Sequence, residues 1–188
     1  MRVPRIFTSQ RLSRKAVIAL DPQSSRHLAR VLRKKVGDAV IVFDGQGGEY
    51  RATIEDIDKQ RVLVQATQWM QDDLEAPLAI HLGIGLSRGE RMDVVMQKAT
   101  ELGVSEIQPL LTRRVEVKLN SGRAEKKLAH WQAILIGACE QSGRTILPAL
   151  NAPLLLSEWL GNNSALSPSE APLPMQPAGS SVNVSSLL

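Results

Sequence analysis

Short apolar blocks separated by turns fill the first seventy residues of the chain, a pattern typical of short β-strands. The turn at 44–48 contains three glycines and joins an apolar block to a segment in which apolar residues alternate. We predict a small, mostly antiparallel β-barrel here. Its predicted strands are 16–20, 39–43, 50–54 and 61–65.

One helix interrupts these strands, and its spacing predicts residues 26–33 with a serine at 24 or 25 as its N-cap. Leu28, Val31 and Leu32 lie at i, i+3 and i+4 and are predicted to pack on the core. Another face of this helix carries the arginines, which are Arg26, Arg30 and Arg33.

The pattern changes after an acidic, proline-containing stretch at 71–77. An almost continuous apolar run at 78–86 is typical of a strand buried on both faces, with His81 as a hydrogen-bonded core histidine. The sequence SRGE at 87–90 matches a helix capping box. The predicted elements that follow are a helix with inward residues from Met92 to Leu102, a strand at 106–111, a helix at 123–142, a short strand at 146–147 and a short helix at 154–160.

This order of elements predicts a two-domain chain of mixed α+β and α/β class. A strand, a helix and a second strand in succession predict two parallel strands in the second domain. The predicted units are a β-barrel domain at 1–70, a linker at 71–77 and an α/β domain at 78–188.

Positive charge is concentrated at the front of the chain. The net charge is +4, but the first 35 residues carry ten lysines and arginines against one acid, Asp21. A basic front end predicts a polyanionic partner such as nucleic acid, or else a solvated surface that keeps the protein soluble. The basic residues are Arg2, Arg5, Arg11, Arg14, Lys15, Arg26, Arg30, Arg33, Lys34 and Lys35.

Composition narrows the class of protein. The chain is 188 residues long and 43% hydrophobic, and its apolar runs are shorter than a membrane span. One cysteine excludes an internal disulfide framework, and three scattered histidines predict no metal site. We therefore expect a cytoplasmic protein without a membrane partner. Its three tryptophans are too far apart in sequence to predict a platform for stacking bases.

Two motifs in the second half suggest chemistry. Glycines at 83, 85 and 89 let a backbone approach a ligand, or equally allow tight strand–helix packing. The sequence EQSGR at 140–144 places an acid and a guanidinium at a helix C-terminus, where an acid opposes the helix dipole. Basic residues also follow the predicted strand at 106–111, at the edge where ligands bind in open α/β sheets. They are Arg113, Arg114 and Lys118.

Several stretches together resemble one family, the bacterial ribosomal RNA small subunit methyltransferase E family. The stretches are MRVPRIF at 1–7, HL at 27–28, VLR at 31–33, GD at 37–38, FDG at 43–45, SRGERM at 87–92, QKATELGV at 97–104, KK at 126–127 with Trp131, and ACEQSGR at 138–144. The resemblance runs in order along the whole chain.

The resemblance implies a PUA-like N-terminal β-barrel that grips RNA and a C-terminal α/β domain of SPOUT type that works as a homodimer. It implies transfer of a methyl group from S-adenosylmethionine to N3 of one uridine in 16S rRNA. In that family the chain continues past the equivalent of Leu188 into a GPEGG-like loop that forms a knot and most of the cofactor site. We expect a chain cut short before that knot, and no cofactor-binding residue is assigned.

The clustering of arginines and acids suggests roles for individual residues. Arg88 and Arg144 are predicted to be catalytic by stabilising a uridine anion, with Glu140 orienting Arg144 or assisting deprotonation. The predicted RNA-binding residues are Arg2, Arg5, Arg26, Arg30, Arg33, Lys34, Lys35, Arg113, Arg114 and Lys118. An rRNA-binding module without catalysis is the alternative, and a nucleotide-binding α/β protein is a third candidate.

Overall fold

A computed structural model describes residues 3–58, 61–71, 75, 77–87, 89–113 and 121–163. The strands are β1 (Arg5–Phe7), β2 (Val17–Ala19), β3 (Ala39–Phe43), β4 (Glu49–Ile57), β5 (Val62–Met70), β6 (His81–Gly85), β7 (Glu106–Leu111), β8 (Ala149–Leu150) and β9 (Leu154–Leu155). The helices are α1 (Pro22–Arg26), α2 (Glu90–Glu101), α3 (Ser121–Ser142) and α4 (Leu156–Asn163), with a π-helical turn at His27–Val31 after α1.

The N-terminal domain contains one five-stranded sheet in the order β1-β3-β4-β5-β2. All neighbours are antiparallel except β1 and β3, which run parallel. The β4–β5 hairpin shifts register twice, and such bulges increase the twist of a sheet. The strands therefore form a half-barrel around one apolar core, as the alternating pattern predicted. The three-residue strand β1 was not predicted from the sequence.

The helical segment of this domain differs from its prediction. Asp21, not a serine, is the N-cap, and its side chain accepts the N–H groups of Gln23 and Ser24. The chain then widens into the π-helical turn, closed by the Leu32 N–H on the His27 carbonyl. This change of helical pitch breaks the expected stripe. Leu28 is buried, whereas Val31 is 67% exposed and Leu32 is 36% exposed.

The C-terminal domain contains a sheet in the order β6-β7-β8, with β9 also pairing with β7. The predicted parallel pair is confirmed as β6 and β7. The expectation of a fully buried β6 is wrong for the described residues, in which β6 is an edge strand. His81 is accordingly an exposed residue whose Nδ1 lies 2.7 Å from Glu106 Oε2, rather than a core histidine.

Helices α2 and α3 pack on this sheet through the apolar positions that the spacing predicted. Met92 and Met96 of α2 and Trp131 and Leu135 of α3 are all at most 2% exposed. The ends of α2 differ from prediction. Gly89, with φ +64°, is its N-cap and no side chain caps it, so the predicted capping box does not form. Leu102 follows the helix and is 79% exposed.

The remaining predictions in this domain are confirmed in part. Helix α4 begins two residues after its predicted start, because residues 154 and 155 form β9. Instead of a strand at 146–147 there is an isolated bridge between Gln46 and Ile146. This bridge ties the N-terminal sheet to the C-terminal domain. Gly83 provides room for packing, because a Cβ there would lie 2.7 Å from the Trp159 ring.

No described helix is long and apolar enough to cross a membrane. The described residues also contain no group of three or more His, Cys, Asp or Glu side chains placed to hold a metal ion.

Candidate nucleic-acid interface

Basic side chains at the end of α1 and in the residues after it are exposed, and we call this set the basic face. Arg26, Arg30, Arg33 and Lys35 are exposed and Lys34 is partly exposed. Within the described part of the chain, none of these side chains forms an ion pair. Unpaired cations at a surface keep their charge available for phosphate oxygens. The exposure of Arg26, Arg30 and Arg33 agrees with their expected place outside the core, although the π-helical turn changes the spacing on which that expectation depended.

Arg5 does not belong to this surface. Its guanidinium is 6% exposed and lies 2.6 Å from the carboxylate of Glu49 in β4. It also donates to the carbonyl oxygens of Cys139 and Arg144, and it lies 4.7 Å from the centre of the Phe43 ring. The prediction that Arg5 holds a phosphate is therefore corrected. Arg5 joins the N-terminal sheet to the end of α3.

Arg144 is likewise buried in the protein. Its side chain is 6% exposed, and its Nη2 lies 2.6 Å from Glu75 Oε2. Its Nη1 donates to the carbonyl oxygens of Thr100 and Val104, at 2.9 and 2.8 Å. These contacts hold the end of α3 against α2 and the 71–77 linker. The predicted contact of Arg144 with a uridine anion is at odds with this placement, because its donors are turned inward.

Glu140 lies at the same junction but takes part in a different network. Its Oε1 accepts the backbone N–H of Phe7 in β1 at 3.0 Å. Burial raises the pKa of Glu140, although the Phe7 hydrogen bond and the charge of His27 act against that increase. Among the described residues, no hydrogen bond joins Glu140 to Arg144, so the predicted link between them does not form. Burial also raises the pKa of Cys139 to about 11, in keeping with its prediction as a core residue.

The glycine-rich turn at 44–48 completes the junction. The N–H of Leu147 donates to the Gly45 carbonyl, and the N–H of Gly47 donates to the Thr145 carbonyl. Gly45 has φ +81°, and a Cβ there would lie 3.1 Å from Leu147 Cβ. A side chain would strain the turn and crowd the neighbouring domain. The turn therefore serves the packing of one domain on the other.

A cavity of about 200 Å³ separates the basic face from α3. Leu32 and Lys34 line it from the N-terminal domain, and Glu140 and Gln141 line it from α3. A second cavity, of about 610 Å³, lies between β1 and α3 and also includes His27 and Glu140. Lys34 of the basic face thus lies at the cleft between the domains.

The remaining predicted residues are only partly placed. Arg113 is exposed just beyond the end of β7, at the predicted edge of the sheet. Four predicted residues lie outside the described residues: Arg2, Arg88, Arg114 and Lys118. Sequence reasoning missed Glu49 and Glu75, the carboxylates that neutralise the buried arginines. The signal was present in principle, because a buried guanidinium requires an acidic partner, but the sequence does not say which acid is near.

Two family models match the chain, and together they cover both domains. One, described as an RNA methyltransferase PUA domain, matches residues 20–67. The other, described as an RNA methyltransferase domain, matches residues 74–171.

Curated relatives and solved structures agree with these matches. The ribosomal RNA small subunit methyltransferase E of Buchnera aphidicola is 32% identical over 86% of this chain and 64% of its own length. The same protein of Synechocystis is 35% identical over 77% of this chain and 46% of its own length. The crystal structure of the enzyme of that name from Neisseria gonorrhoeae, bound to S-adenosyl methionine, matches with a TM-score of 0.80 and 37% identity. That match covers 85% of this chain and 65% of the other.

A Legionella pneumophila structure described as a methyltransferase with bound SAM matches with a TM-score of 0.82 and 38% identity, over 86% of this chain and 66% of that one. The chain thus spans just under two thirds of the length of the first of these relatives. Its half-barrel sheet is the PUA-like part of this architecture, and its parallel sheet is the α/β methyltransferase part. The chain belongs to the family of RNA methyltransferases that includes the ribosomal RNA small subunit methyltransferase E proteins.

Proposed function

We propose that this protein acts in the methylation of ribosomal RNA, transferring a methyl group from S-adenosylmethionine to N3 of a uridine in 16S rRNA. Family membership and the cofactor bound in the related Neisseria structure support this proposal. The observation that carries it is the unpaired basic face beside the cleft between the domains. Phosphates of a folded RNA would bind that face, and the nucleotide to be modified would lie towards the C-terminal domain.

The chemistry of uridine explains which side chains are needed. N3 is a weak acid that must lose its proton before it can attack a methyl group, and the resulting anion extends over O2 and O4. Hydrogen-bond donors with positive charge stabilise such an anion. We assign this role to Arg88, and contacts with the RNA backbone to Arg113, Arg114 and Lys118. Of these, Arg113 is exposed just beyond the end of β7.

Glu140 and Arg144 take different parts in this proposal. Glu140 lies in the cleft with a raised pKa, which suits a group that exchanges a proton, and its proposed role is to assist deprotonation. Arg144 acts as a positioning residue, because its guanidinium is bound to Glu75 and to two carbonyl oxygens. Arg144 holds the C-terminal end of α3 in place, and Glu140 lies at that end of the helix.

S-adenosylmethionine, when bound, supplies the methyl group from its sulfonium centre. The cavity of about 200 Å³ beside the basic face is smaller than the roughly 300–1,000 Å³ usual for such ligands, and we assign it to the RNA rather than to the cofactor. None of the described residues is assigned to S-adenosylmethionine.

A methylation assay tests the activity. The purified chain is incubated with labelled S-adenosylmethionine and small ribosomal subunits from a strain that lacks the modification. Because an N3 methyl group blocks the Watson–Crick edge of uridine, reverse transcription should stop at one position. No label, together with retained binding of the RNA, would favour the rRNA-binding module without catalysis.

The phosphate contacts have a separate test. Replacing Arg30 and Arg33 by alanine should weaken rRNA binding and reduce the slope of log K against log salt by about 0.7–0.9 per lost contact. Filter binding at several salt concentrations measures both quantities. A matched control replaces Lys98, an exposed cation that pairs with Glu101 on α2 of the C-terminal domain, and should leave the slope unchanged. Unchanged binding by the Arg30 and Arg33 variants would refute the assignment.

We further propose that the protein acts as a homodimer, as the resemblance implies, and that it acts in the cytoplasm, as its composition predicts. Sedimentation equilibrium of the purified protein tests the assembly, and a single monomeric species would contradict it.

A further inference from the structure

A groove on the N-terminal domain lies apart from the basic face, and an aromatic pair forms one wall. Trp69 of β5 and Tyr50 of β4 are direct partners across the hairpin. Their ring centres are 4.9 Å apart, and the rings meet at 60°. Trp69 nevertheless remains 46% exposed, although a tryptophan in a sheet usually gains by burial. The pair therefore offers an open aromatic surface that its own domain does not cover.

A glycine holds the ring in this position. Gly48 has φ +70°, and a Cβ there would lie 2.0 Å from an atom of the Trp69 ring. Any side chain at 48 would force the ring to move, since no Cβ tolerates so close a contact. The ring of Trp69 thus rests against the turn at 44–48, and the rest of it faces the groove.

A basic loop also lines the groove. The groove has a volume of about 770 Å³, and Arg11 and Leu12 line it together with the aromatic pair. Arg11 belongs to a loop that also carries Arg14 and Lys15, and the sequence contains no acid from residue 9 to residue 20. The one carboxylate in the groove, Asp44, accepts the N–H groups of Leu12 and Gln46. That carboxylate joins the loop to the turn and is partly compensated by these donors.

We propose that this groove binds an unpaired nucleotide of RNA, with its base stacked on Trp69 and its phosphate beside Arg11. Exposed aromatic rings next to basic side chains are how proteins hold single-stranded RNA, because every base has a π-face. The charge of the loop selects a polyanion over a neutral or acidic peptide. The groove would act as a second contact in addition to the basic face, none of whose residues line it. This inference rests on the proposed action on RNA.

Binding of two short probes by the full chain tests the inference. One probe is a single-stranded oligouridine, and the other is an oligomer of the same length and charge whose sugars lack bases. Trp69→Ala should weaken binding of oligouridine about 5- to 150-fold, the usual effect of losing one stacked base, and leave the abasic oligomer unaffected. Trp69→Phe keeps an aromatic face and should restore most of the affinity.

Val17→Ala is the matched control, because Val17 is 56% exposed on the edge strand β2 of the same sheet. It should bind both probes like the parent. Oligouridine should also quench the tryptophan fluorescence of the parent chain. This quenching should be lost in Trp69→Phe, in which the buried Trp131 and the partly exposed Trp159 remain. The thermal unfolding midpoint of each variant establishes that it is folded.

The outcomes separate this inference from the proposed function. Equal binding of oligouridine by the parent and Trp69→Ala would overturn the groove, whether or not the Arg30 and Arg33 variants bind rRNA more weakly. Equal loss of both probes in Trp69→Ala would also overturn it, because a stacking site requires a base. A third outcome is that the Arg30 and Arg33 variants bind rRNA like the parent, while Trp69→Ala binds oligouridine more weakly. The basic face would then not be a phosphate-binding surface, and the proposal for the groove would be retained.

Discussion

Two sets of arginines in this protein differ in their exposure to solvent and in their ionic partners. Arg30 and Arg33 are exposed on the basic face, with no ion pair among the described residues. Arg5 and Arg144 are buried at the junction of the domains, where Glu49 and Glu75 neutralise them. The first set is available to a ligand, whereas the second belongs to the structure.

The difference shows that desolvation decides the role of an arginine. A guanidinium taken out of water must find acceptors for its donors, and leaving it unpaired would cost several kcal/mol. Arg5 and Arg144 satisfy this requirement in a linked way, because the guanidinium of Arg5 also donates to the backbone carbonyl of Arg144. The chain Glu49–Arg5–Arg144–Glu75 therefore connects the N-terminal sheet, the end of α3 and the linker.

Removing Arg144 should have the largest effect on stability. Arg144→Ala leaves Glu75 without its partner and two carbonyl oxygens without donors, which should lower the free energy of unfolding by about 3–5 kcal/mol. Urea denaturation measures this loss. The matched surface variant Arg30→Ala should stay within about 0.5 kcal/mol of the parent. Similar free energies of unfolding for the two variants would show that the buried and the exposed arginines do not differ in their contribution to stability.

Replacing the guanidinium of Arg5 by a lysine ammonium group should have a smaller effect on stability. Arg5→Lys keeps the charge but cannot reach Glu49, the Cys139 carbonyl and the Arg144 carbonyl together, so about 1–3 kcal/mol of stability should be lost. Hydrogen exchange at the amides of β1 should accelerate, because that strand would be held less firmly against α3. Arg26→Lys on the basic face serves as the control. Unchanged exchange in β1 would contradict a connecting role for Arg5.

Glu140 should produce the smallest effect, visible as a dependence on pH. Because burial raises its pKa in the folded protein, the folded state binds a proton more tightly than the unfolded state. The contribution of Glu140 to stability should therefore fall as the pH rises from its unfolded pKa through its raised folded pKa. Glu140→Gln still offers an oxygen to the Phe7 N–H and should remove this dependence.

The expected result is that Glu140→Gln is more stable than the parent at neutral pH and equal to it in acid, below the unfolded pKa. Thermal unfolding at a series of pH values measures the difference. A parent that is more stable than Glu140→Gln at neutral pH, with the two again equal in acid, would mean that the pKa of Glu140 is lowered instead.

The sequence predicted most elements, with both ends correct for β3 and β7 but not for most of the others. Strands β3 and β7 and helix α3 follow from apolar spacing alone, since their inward faces are continuous. The residues around Leu28 misled the prediction because a π-helical turn changes the spacing on which it depends. His81 misled it because an apolar run looks alike in a central and an edge strand.

The sequence also predicted only part of the candidate site. Arg26, Arg30 and Arg33 are exposed, in agreement with a basic surface in this segment. Their spacing did not decide this, because the π-helical turn changes it. The separation in sequence between Tyr50 and Trp69 hid the aromatic pair. Only the register of the β4–β5 hairpin brings them together.

Sequence by itself determined the order of strands and helices, the basic front end and the family to which the chain belongs, because each depends on residue type and local spacing. Tertiary structure alone decided which arginines are exposed, which carboxylates they meet and where an aromatic ring is left open. These depend on residues far apart in the chain, such as Arg144 and Glu75, which are 69 positions apart. The pairing of distant charges is fixed by packing and by the cost of leaving a buried charge alone, and neither can be seen in a local pattern.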